Sequence, residues 1–270
     1  MFDMRTLFAI LLATLATPAH AQNKKDWDAC VLGRDMEQSD AACVRVINDR
    51  ATPTRRRAVA HDTRSVHFNI KGDYKGMETA LTEAMKLDPK DAGYPASRCY
   101  ARMKLVRYAD ALVDCNKAVS LDPTSTHALK NRAIVYEMQR NPLAVSDRQE
   151  VVRLNSNYES WKPLCNAQTI VMEFQDAYDS CNESLLLKKD EPVTLYLRGF
   201  VHLNLDDPDH AIEDFNVAMT APHLKAGALY GRSIAKRMNK DTKGADADVA
   251  EARTLAKDIE FDTSLYWTPK

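Results

Sequence analysis

The chain has 270 residues, of which 45% are hydrophobic and 28% are charged, and this composition excludes an intrinsically disordered protein. Its 37 Lys and Arg residues nearly balance its 38 Asp and Glu residues, so the net charge of −1 argues against a nucleic-acid partner. The sequence has only 8 Gly residues and lacks the GxGxxG and GxxxxGK[ST] motifs, which disfavours nucleotide-dependent chemistry.

The amino terminus has the pattern of an export signal. Arg5 precedes an apolar run at residues 7–15, and Ala19-His20-Ala21 supplies the small residues of a cleavage site. The run is too short to cross a bilayer, which requires about 20 apolar residues. We expect residues 1–21 to be removed, leaving a periplasmic or secreted protein without a membrane span, in a compartment where disulfides can form.

The rest of the chain repeats with a period close to 34 residues. Leu87-Asp88-Pro89 recurs as Leu121-Asp122-Pro123, and weaker echoes follow at Leu154, Leu187, Ala221 and Leu255. A small or slender residue stands ten places before each of these leucine or alanine positions: Met77, Ala111, Ala144, Ala177, Ala211 and Ala245. A small residue lets two helices approach closely and Pro stops a helix, so this period predicts an array of helical hairpins.

These residues resemble the tetratricopeptide-repeat family. Gly72-Asp73-Tyr74, Met77, Leu81, Ala84 and Leu87-Asp88-Pro89 are similar to the second-helix half of that family's 34-residue unit. The resemblance covers residues 58–257 as six repeats, which begin near Ala58, Ala92, Thr126, Tyr158, Pro192 and Ala226. It implies an all-α, right-handed superhelical solenoid of antiparallel helix pairs, with residues 22–57 as an N-terminal capping hairpin and connector and residues 258–270 as a C-terminal cap or tail. One departure is the third repeat, where Asp147-Arg148-Gln149 are polar at places that are usually apolar.

Two charged places change together when the repeats are compared with one another. Four repeats carry Arg at the seventh place and Asp near the twenty-third place: Arg98 and Asp114, Arg132 and Asp147, Arg198 and Asp214, Arg232 and Asp248. The fourth repeat lacks both charges, having Leu164 and Ser180, whereas the first keeps Arg64 opposite Ala80. We interpret the pairs as ion pairs that join the two helices of a hairpin; the alternative is a set of cationic sites for an anionic ligand.

The cysteines follow the same spacing. Cys99 and Cys115, and likewise Cys165 and Cys181, occupy the eighth and twenty-fourth places of their repeats, while Cys30 and Cys43 flank a shorter turn. Six cysteines allow 15 connectivities, and the repeat register favours the disulfides Cys30–Cys43, Cys99–Cys115 and Cys165–Cys181. Each would close a loop of about 15 residues and contribute about 3 kcal/mol in the chain-entropy model. Buried free cysteines that happen to recur are the alternative.

Motifs for catalysis are absent from the sequence. It has no HExxH, GxSxG or CxxC arrangement, so we predict no catalytic residue, no cofactor and no metal. Asp206-Asp207-Pro208-Asp209-His210 is the richest cluster of ligand-type residues, and we interpret it as a helix-capping turn. We interpret Arg55-Arg56-Arg57 as a connector, with an acidic partner as the alternative.

The family resemblance places the first helix of each repeat on a concave wall, where a partner would bind. In the fifth and sixth repeats this wall would carry an apolar set: Tyr196, Leu197, Phe200, Leu203, Tyr230 and Ile234. In the third and fourth repeats it would carry a polar set suited to carboxylates: Lys130, Asn131, Lys162 and Asn166. The apolar set predicts a covering segment, either a protein or peptide partner or the tail residues Ile259, Phe261, Leu265, Tyr266 and Trp267, which would otherwise cap the last hairpin.

The resulting prediction is a non-catalytic protein- or peptide-binding scaffold of the cell envelope that uses its concave face. A structural or assembly subunit that contacts its partners through its convex face or edge is the alternative. A small-ligand-binding protein or an enzyme is a more remote one.

Overall fold

Helices account for nearly all of the described chain. The structure, a computed structural model, describes residues 18–258 and Tyr266, with side chains from residue 23 onward. Within these residues it contains α-helices, one short 3₁₀ turn at Pro222–Leu224 and no strand. The α-helices are α1 (Pro18–Leu32), α2 (Met36–Asn48), α3 (Thr54–Ile70), α4 (Tyr74–Leu87), α5 (Gly93–Lys104), α6 (Tyr108–Leu121), α7 (Thr126–Met138), α8 (Leu143–Leu154), α9 (Tyr158–Ile170), α10 (Phe174–Leu187), α11 (Pro192–Asn204), α12 (Pro208–Ala218), α13 (Lys225–Met238) and α14 (Thr242–Leu255).

The helices are arranged in consecutive pairs, as the repeat period predicts. α1 and α2 form the abbreviated N-terminal hairpin, and the six pairs from α3/α4 to α13/α14 follow it. Two compact units divide the chain, one ending at Asn131 and the other beginning at Arg132. None of the described helices combines the length and the apolar character that crossing a membrane requires. Residues 1–17 of the predicted signal peptide lie outside the described residues.

The boundaries of the repeats differ from the predicted ones mainly at the first repeat. Five of the six first helices begin within one residue of the predicted position, but α3 begins at Thr54 rather than at Ala58. Arg55, Arg56 and Arg57 therefore belong to the first turn of α3 and are not a connector. The guanidinium of Arg56 lies 5.1 Å from the ring centroid of Trp27, so this turn packs against α1.

Close helix contacts in the core depend on small residues. The residues at the place ten before the repeat leucine, from Met77 to Ala245, are all buried. In the second unit the largest core cluster surrounds Phe200 and Phe215. A Cβ atom on Gly199 would lie 2.7 Å from the Phe215 ring, and one on Gly231 would clash with the same ring. Phe215 therefore fits between α11 and α13 because both helices present a glycine to it.

The predicted arginine–aspartate pairs are present in all four repeats that carry both residues. The closest N–O distance is 2.6 Å for Arg98 and Asp114 and 2.7 Å for the other three pairs. Each aspartate is buried, and the two oxygens of its carboxylate accept hydrogen bonds from Nε and Nη2 of the arginine. Bidentate pairs with one buried member fix the distance between two helices more strictly than exposed pairs do.

Arg98, Arg198 and Arg232 also bond the preceding hairpin, which the sequence comparison did not predict. Nη1 of Arg98 donates to Thr82 at 2.9 Å, Nη1 of Arg198 to Asn182 at 2.7 Å, and Nη1 of Arg232 to Asn216 at 2.6 Å. Arg64, whose own hairpin offers only Ala80, bonds Asp40 on α2 at 2.8 Å instead. Such an arginine therefore holds two successive hairpins together.

The three predicted cysteine pairs lie at disulfide distance. They join α1 to α2 through Cys30 and Cys43, α5 to α6 through Cys99 and Cys115, and α9 to α10 through Cys165 and Cys181. All six cysteines are buried. The α9/α10 hairpin lacks the arginine–aspartate pair and has the buried residues Leu164 and Ser180 at those two places. Its two helices are linked instead by the Cys165–Cys181 disulfide.

The third repeat buries a charged pair where the family is usually apolar. Nε of Arg148 on α8 donates to Oε1 of Glu137 on α7 at 2.8 Å, and both side chains are buried. The polar residue Arg148, at a place that is usually apolar, is therefore paired with Glu137 in the core. Burying the pair removes both charges from water, so loss of either partner would leave an unpaired buried charge.

The turn inside each repeat uses the same backbone device. One residue per turn has a left-handed backbone: Gly72, Val106, Arg140, Met172, Asp206 and Lys240. The N–H of the following residue bonds the carbonyl five residues earlier, as Arg107 does to Arg102 at 2.9 Å, which is the Schellman arrangement. Only the first turn has Gly there, and Val106, β-branched with φ of 59°, is the most strained of the others.

We expect Val106→Gly to stabilise the protein by about 0.5 to 1 kcal/mol. The left-handed backbone at a β-branched residue destabilises the folded state by about 1–2 kcal/mol, and Gly removes this strain. Gly also raises the conformational entropy of the unfolded chain, which offsets the gain in stability by about 0.5–1 kcal/mol. The measurement is the urea midpoint at unchanged m-value. Val113→Gly, an equally exposed change inside α6, is the control and should destabilise by about 0.5 kcal/mol. A lower midpoint for Val106→Gly would contradict the strain.

We expect Arg198→Leu to cost about 3 kcal/mol, because it leaves the buried carboxylate of Asp214 without its main counter-charge. Adding Asp214→Ser should recover at least about 1 kcal/mol, since the buried charge is then gone and the hairpin has the Leu and Ser that the fourth repeat has naturally. Chemical unfolding of the two variants checks this. A double variant less stable than Arg198→Leu would mean that Asp214 needs no counter-charge.

Candidate functional site

The predicted apolar set divides into core residues and surface residues. Phe200, Leu203 and Leu197 are 0%, 1% and 3% exposed, and Ile234 is also buried. These four side chains are therefore closed to solvent in the folded chain. Leu197, Phe200 and Leu203 lie on α11, which packs against both α9 and α13, and Tyr266 covers part of Leu197 and Phe200. Ile234 lies on α13 and belongs to the same core cluster as Phe200 and Leu203. Tyr196 and Tyr230 are half-buried and keep accessible surface.

The aromatic surface around Tyr196 holds Tyr266 from the C-terminal segment. The Tyr266 ring lies 6.0 Å from the Tyr196 ring, edge to face, and 5.6 Å from the Phe200 ring. Tyr266 also packs against the cluster formed by Leu197 and the Cys165–Cys181 disulfide. We call this site the Tyr266 recess and define it by Tyr196, Leu197, Phe200, Asn204 and that disulfide. It is formed mainly by first helices of repeats, α9 and α11, with Cys181 contributed by α10.

Asn204 fixes the main chain of the bound tyrosine. Its side-chain amide donates to the Tyr266 carbonyl oxygen at 3.0 Å and to the Phe200 carbonyl oxygen at 2.8 Å. The second bond orients the amide from within α11, so the donor stands ready for a carbonyl from another segment. The recess thus contacts Tyr266 through both its side chain and its backbone. No feature of the sequence distinguished Asn204 from other polar helix residues.

The electrostatics of the recess favour an uncharged aromatic ring. Burial raises the pKa of Tyr266 above its usual range, and the nearby carboxylate of Glu137 raises it further. Both causes act against a negative charge at this place, because a phenolate would lose hydration and face another anion.

The position of Tyr266 bears on the two interpretations of the tail. Its contacts are with α9, α11 and the core cluster between α11 and α13. Ile259, Phe261, Leu265 and Trp267 lie outside the described residues. On the last hairpin, Tyr230 and Ile234 line a separate recess of about 420 Å³ together with Arg237 and Met238.

The predicted polar set is not assembled into one site. Asn131 is buried, and its amide donates to the Ala96 carbonyl at 3.0 Å and contacts Nε2 of His127 at 3.2 Å. That residue is therefore a structural link between α5 and α7 and cannot bind a partner's carboxylate as it stands. Lys130, Lys162 and Asn166 are half-buried, and Nζ of Lys162 lies 4.8 Å from the Tyr158 ring centroid.

A group of metal-ligand type occurs at the start of α12. Donor atoms of His202, Asp207 and His210 lie within 4.8 Å of one another. Oδ2 of Asp207 is 2.7 Å from Nδ1 of His210 and 3.2 Å from Nδ1 of His202, while Asp207 also caps α12. Burial lowers the pKa of His202, whereas the hydrogen bond to Asp207 raises the pKa of His210. Hydrogen bonding within the group accounts for its geometry.

We expect His210 to become protonated at a higher pH than His202. Asp207→Asn, which keeps the helix cap but removes the charge, should lower both pKa values because Asp207 stabilises both protonated rings. NMR titration of the imidazole nitrogens of His202 and His210 in wild type and in Asp207→Asn checks this. An unchanged His210 titration in Asp207→Asn would show that Asp207 does not set it.

Comparison with known proteins adds relatives that cover parts of the chain. No family model matches. Mouse sperm-associated antigen 1 is 38% identical over 85 residues, which are 31% of this chain and 9% of that protein. Arabidopsis thaliana protein PHOX1 is 30% identical over 134 residues, 47% of this chain and 18% of that protein, and the bovine protein SGT1 homolog is 28% identical over 100 residues, 36% and 30%. The chain thus spans less than a third of the length of each of these relatives.

Solved structures match most of the chain at low identity. A tetratricopeptide repeat protein from Parabacteroides merdae gives a TM-score of 0.63 at 15% identity, covering 92% of this chain and 96% of that one. PilW, a type IV pilus biogenesis factor, gives 0.64 at 14% identity, covering 73% and 92%. YrrB, described as a tetratricopeptide-repeat protein with an unusual peptide-binding site, gives 0.54 at 16%, covering 68% and 97%. With its repeat period and its paired helices, the chain has the fold of the tetratricopeptide-repeat structures that it matches.

Proposed function

We propose that the protein is a non-catalytic protein- or peptide-binding scaffold of the cell envelope and that partner segments bind on the first helices, at the Tyr266 recess. The observation that carries the proposal is Tyr266 itself. Its ring packs on Tyr196 and Phe200, and its carbonyl accepts a hydrogen bond from Asn204. Anchoring by one aromatic side chain together with a main-chain hydrogen bond is the means by which a groove holds an extended peptide.

The compartment is inferred from two features. The three cysteine pairs at disulfide distance suit an oxidising environment. The pattern of residues 1–21 is that of a cleavable signal. Together they support a periplasmic or secreted location.

Polar residues beside the recess would add specificity. Lys162 and Asn166 lie on α9, the helix that contributes Cys165 to the recess, and both are half-buried. We propose that they bind carboxylate or carbonyl groups of the partner segment. Lys130 offers a similar cation in the first unit, whereas Asn131 is excluded by its bond to Ala96.

The second candidate function is that of a structural or assembly subunit that contacts its partners through the second helices of its repeats. Leu186, which is 78% exposed, and Leu187 form an apolar pair at the end of α10, a second helix. Such a pair on the opposite side of the hairpin is where a permanent contact of that kind would form.

Peptide-display selection on the oxidised full-length protein distinguishes the two candidates. Tyr196→Lys should weaken the selected peptides at least tenfold, because it removes one of the two aromatic rings of the recess and replaces it with an ammonium that a bound peptide would desolvate. Leu186→Lys is the matched control and should leave binding unchanged.

Thermal unfolding establishes that both variants are folded. Binding lost with Leu186→Lys but kept with Tyr196→Lys would instead favour the structural subunit. Selection that yields no binding peptide would contradict the proposed scaffold function.

A further inference from the structure

The recess described above is already filled by part of the same chain. Tyr266 lies 62 residues after Asn204 in the sequence, yet its carbonyl is held by the Asn204 amide and its ring by two aromatic residues. Its side chain is largely removed from solvent and also contacts the Cys165–Cys181 disulfide cluster. A partner that uses this recess must therefore take the place of Tyr266.

We propose that Tyr266 is a built-in competing ligand and that the partner is a protein segment presenting an uncharged aromatic side chain together with a backbone carbonyl that can accept a hydrogen bond. This inference rests on the proposed function of the same face. The partner's ring replaces the Tyr266 ring against Tyr196 and Phe200, and a partner carbonyl takes the hydrogen bond from Asn204.

The shape of the recess explains the preference for an aromatic residue. The Tyr266 ring meets Tyr196 edge to face, with an interplanar angle of 85°, and is tilted by 31° relative to Phe200. Tyr196 also meets Phe200 edge to face at 5.1 Å, so the two wall rings support each other. A ring satisfies this geometry through quadrupole contacts that an aliphatic side chain does not make.

The charges around the recess explain why the ring must be uncharged. Burial and the carboxylate of Glu137 both oppose an anion at the position of the Tyr266 hydroxyl. Glu137 is held in place by its buried ion pair with Arg148 at 2.8 Å. A phosphorylated tyrosine is therefore a poor ligand, whereas tyrosine and phenylalanine are good ones.

Attachment to the chain makes the competition strong. A ligand that is attached to its own binding protein acts at an effective concentration on the order of millimolar. A free segment of equal intrinsic affinity therefore binds the wild-type protein weakly and binds much better once Tyr266 is removed.

The test uses the chain's own residues 259–270 as a free synthetic peptide and three forms of the full-length protein. We expect the peptide to bind Tyr266→Ala at least tenfold more tightly than it binds wild type or Tyr266→Phe, measured by fluorescence anisotropy. Tyr266→Phe is the matched control because it keeps the ring in the recess. Equal affinity for all three proteins, or no binding to Tyr266→Ala, would overturn the proposal.

Changes in the peptide and in the wall test the chemistry. A peptide carrying Tyr266→Ala, or one phosphorylated on that tyrosine, should bind at least tenfold more weakly to the opened protein. Adding Tyr196→Lys to Tyr266→Ala in the protein should abolish binding. An equally bound phosphopeptide would contradict the requirement for an uncharged ring.

A further measurement does not depend on the folding of Tyr266→Ala. A photoreactive benzoylphenylalanine at position 266 of the full chain should crosslink to α9 or α11, and excess free peptide should reduce that crosslink. Crosslinks only to other helices would overturn the proposal. If the tail peptide fails in every form while display-selected peptides still require Tyr196, the binding scaffold stands and only the competition by Tyr266 falls.

Discussion

A guanidinium shared between two hairpins is the interaction on which the rest of the structure depends. Arg198 binds the buried carboxylate of Asp214 within its own hairpin and Asn182 in the hairpin before it. Because the desolvated carboxylate needs a counter-charge at close range, the two helices have little freedom to shift. The close fit at the adjacent places, where Phe215 fills the space left by Gly199, requires that fixed distance.

Spacing alone was sufficient to predict the links within hairpins. Arginine with aspartate, and cysteine with cysteine, stand at offsets that recur, so comparing repeats identifies the partners. The links between hairpins could not be found in this way because their acceptors vary in type: Thr82, Asn182, Asn216 and, for Arg64, Asp40. The Arg148–Glu137 pair was missed because a repeat pattern indicates which place is unusual but not what compensates for it.

The helices that form the candidate site could be predicted from the sequence, but the burial of its individual side chains could not. The family resemblance assigned Phe200 and Tyr196 to the same wall, but it does not distinguish a side chain that lines a surface from one beneath it. Phe200 is buried by neighbouring helices and by the Tyr266 ring, while Tyr196 also contacts Tyr266 but keeps accessible surface. Neither the role of Asn204 nor the choice of Tyr266 among several apolar tail residues follows from composition, since both depend on where one carbonyl meets one amide.

The backward reach of the arginines has a consequence for the order in which the protein is built. For Arg98, Arg198 and Arg232 the hydrogen-bond acceptor on the preceding hairpin stands 16 residues earlier in the chain. A chain that emerges amino end first, from a ribosome or a translocation pore, therefore presents each of these arginines to a hairpin that has already formed. The new hairpin can dock on that acceptor before its own aspartate arrives. Assembly can thus proceed in the direction of delivery, and Tyr266, near the end of the chain, joins last.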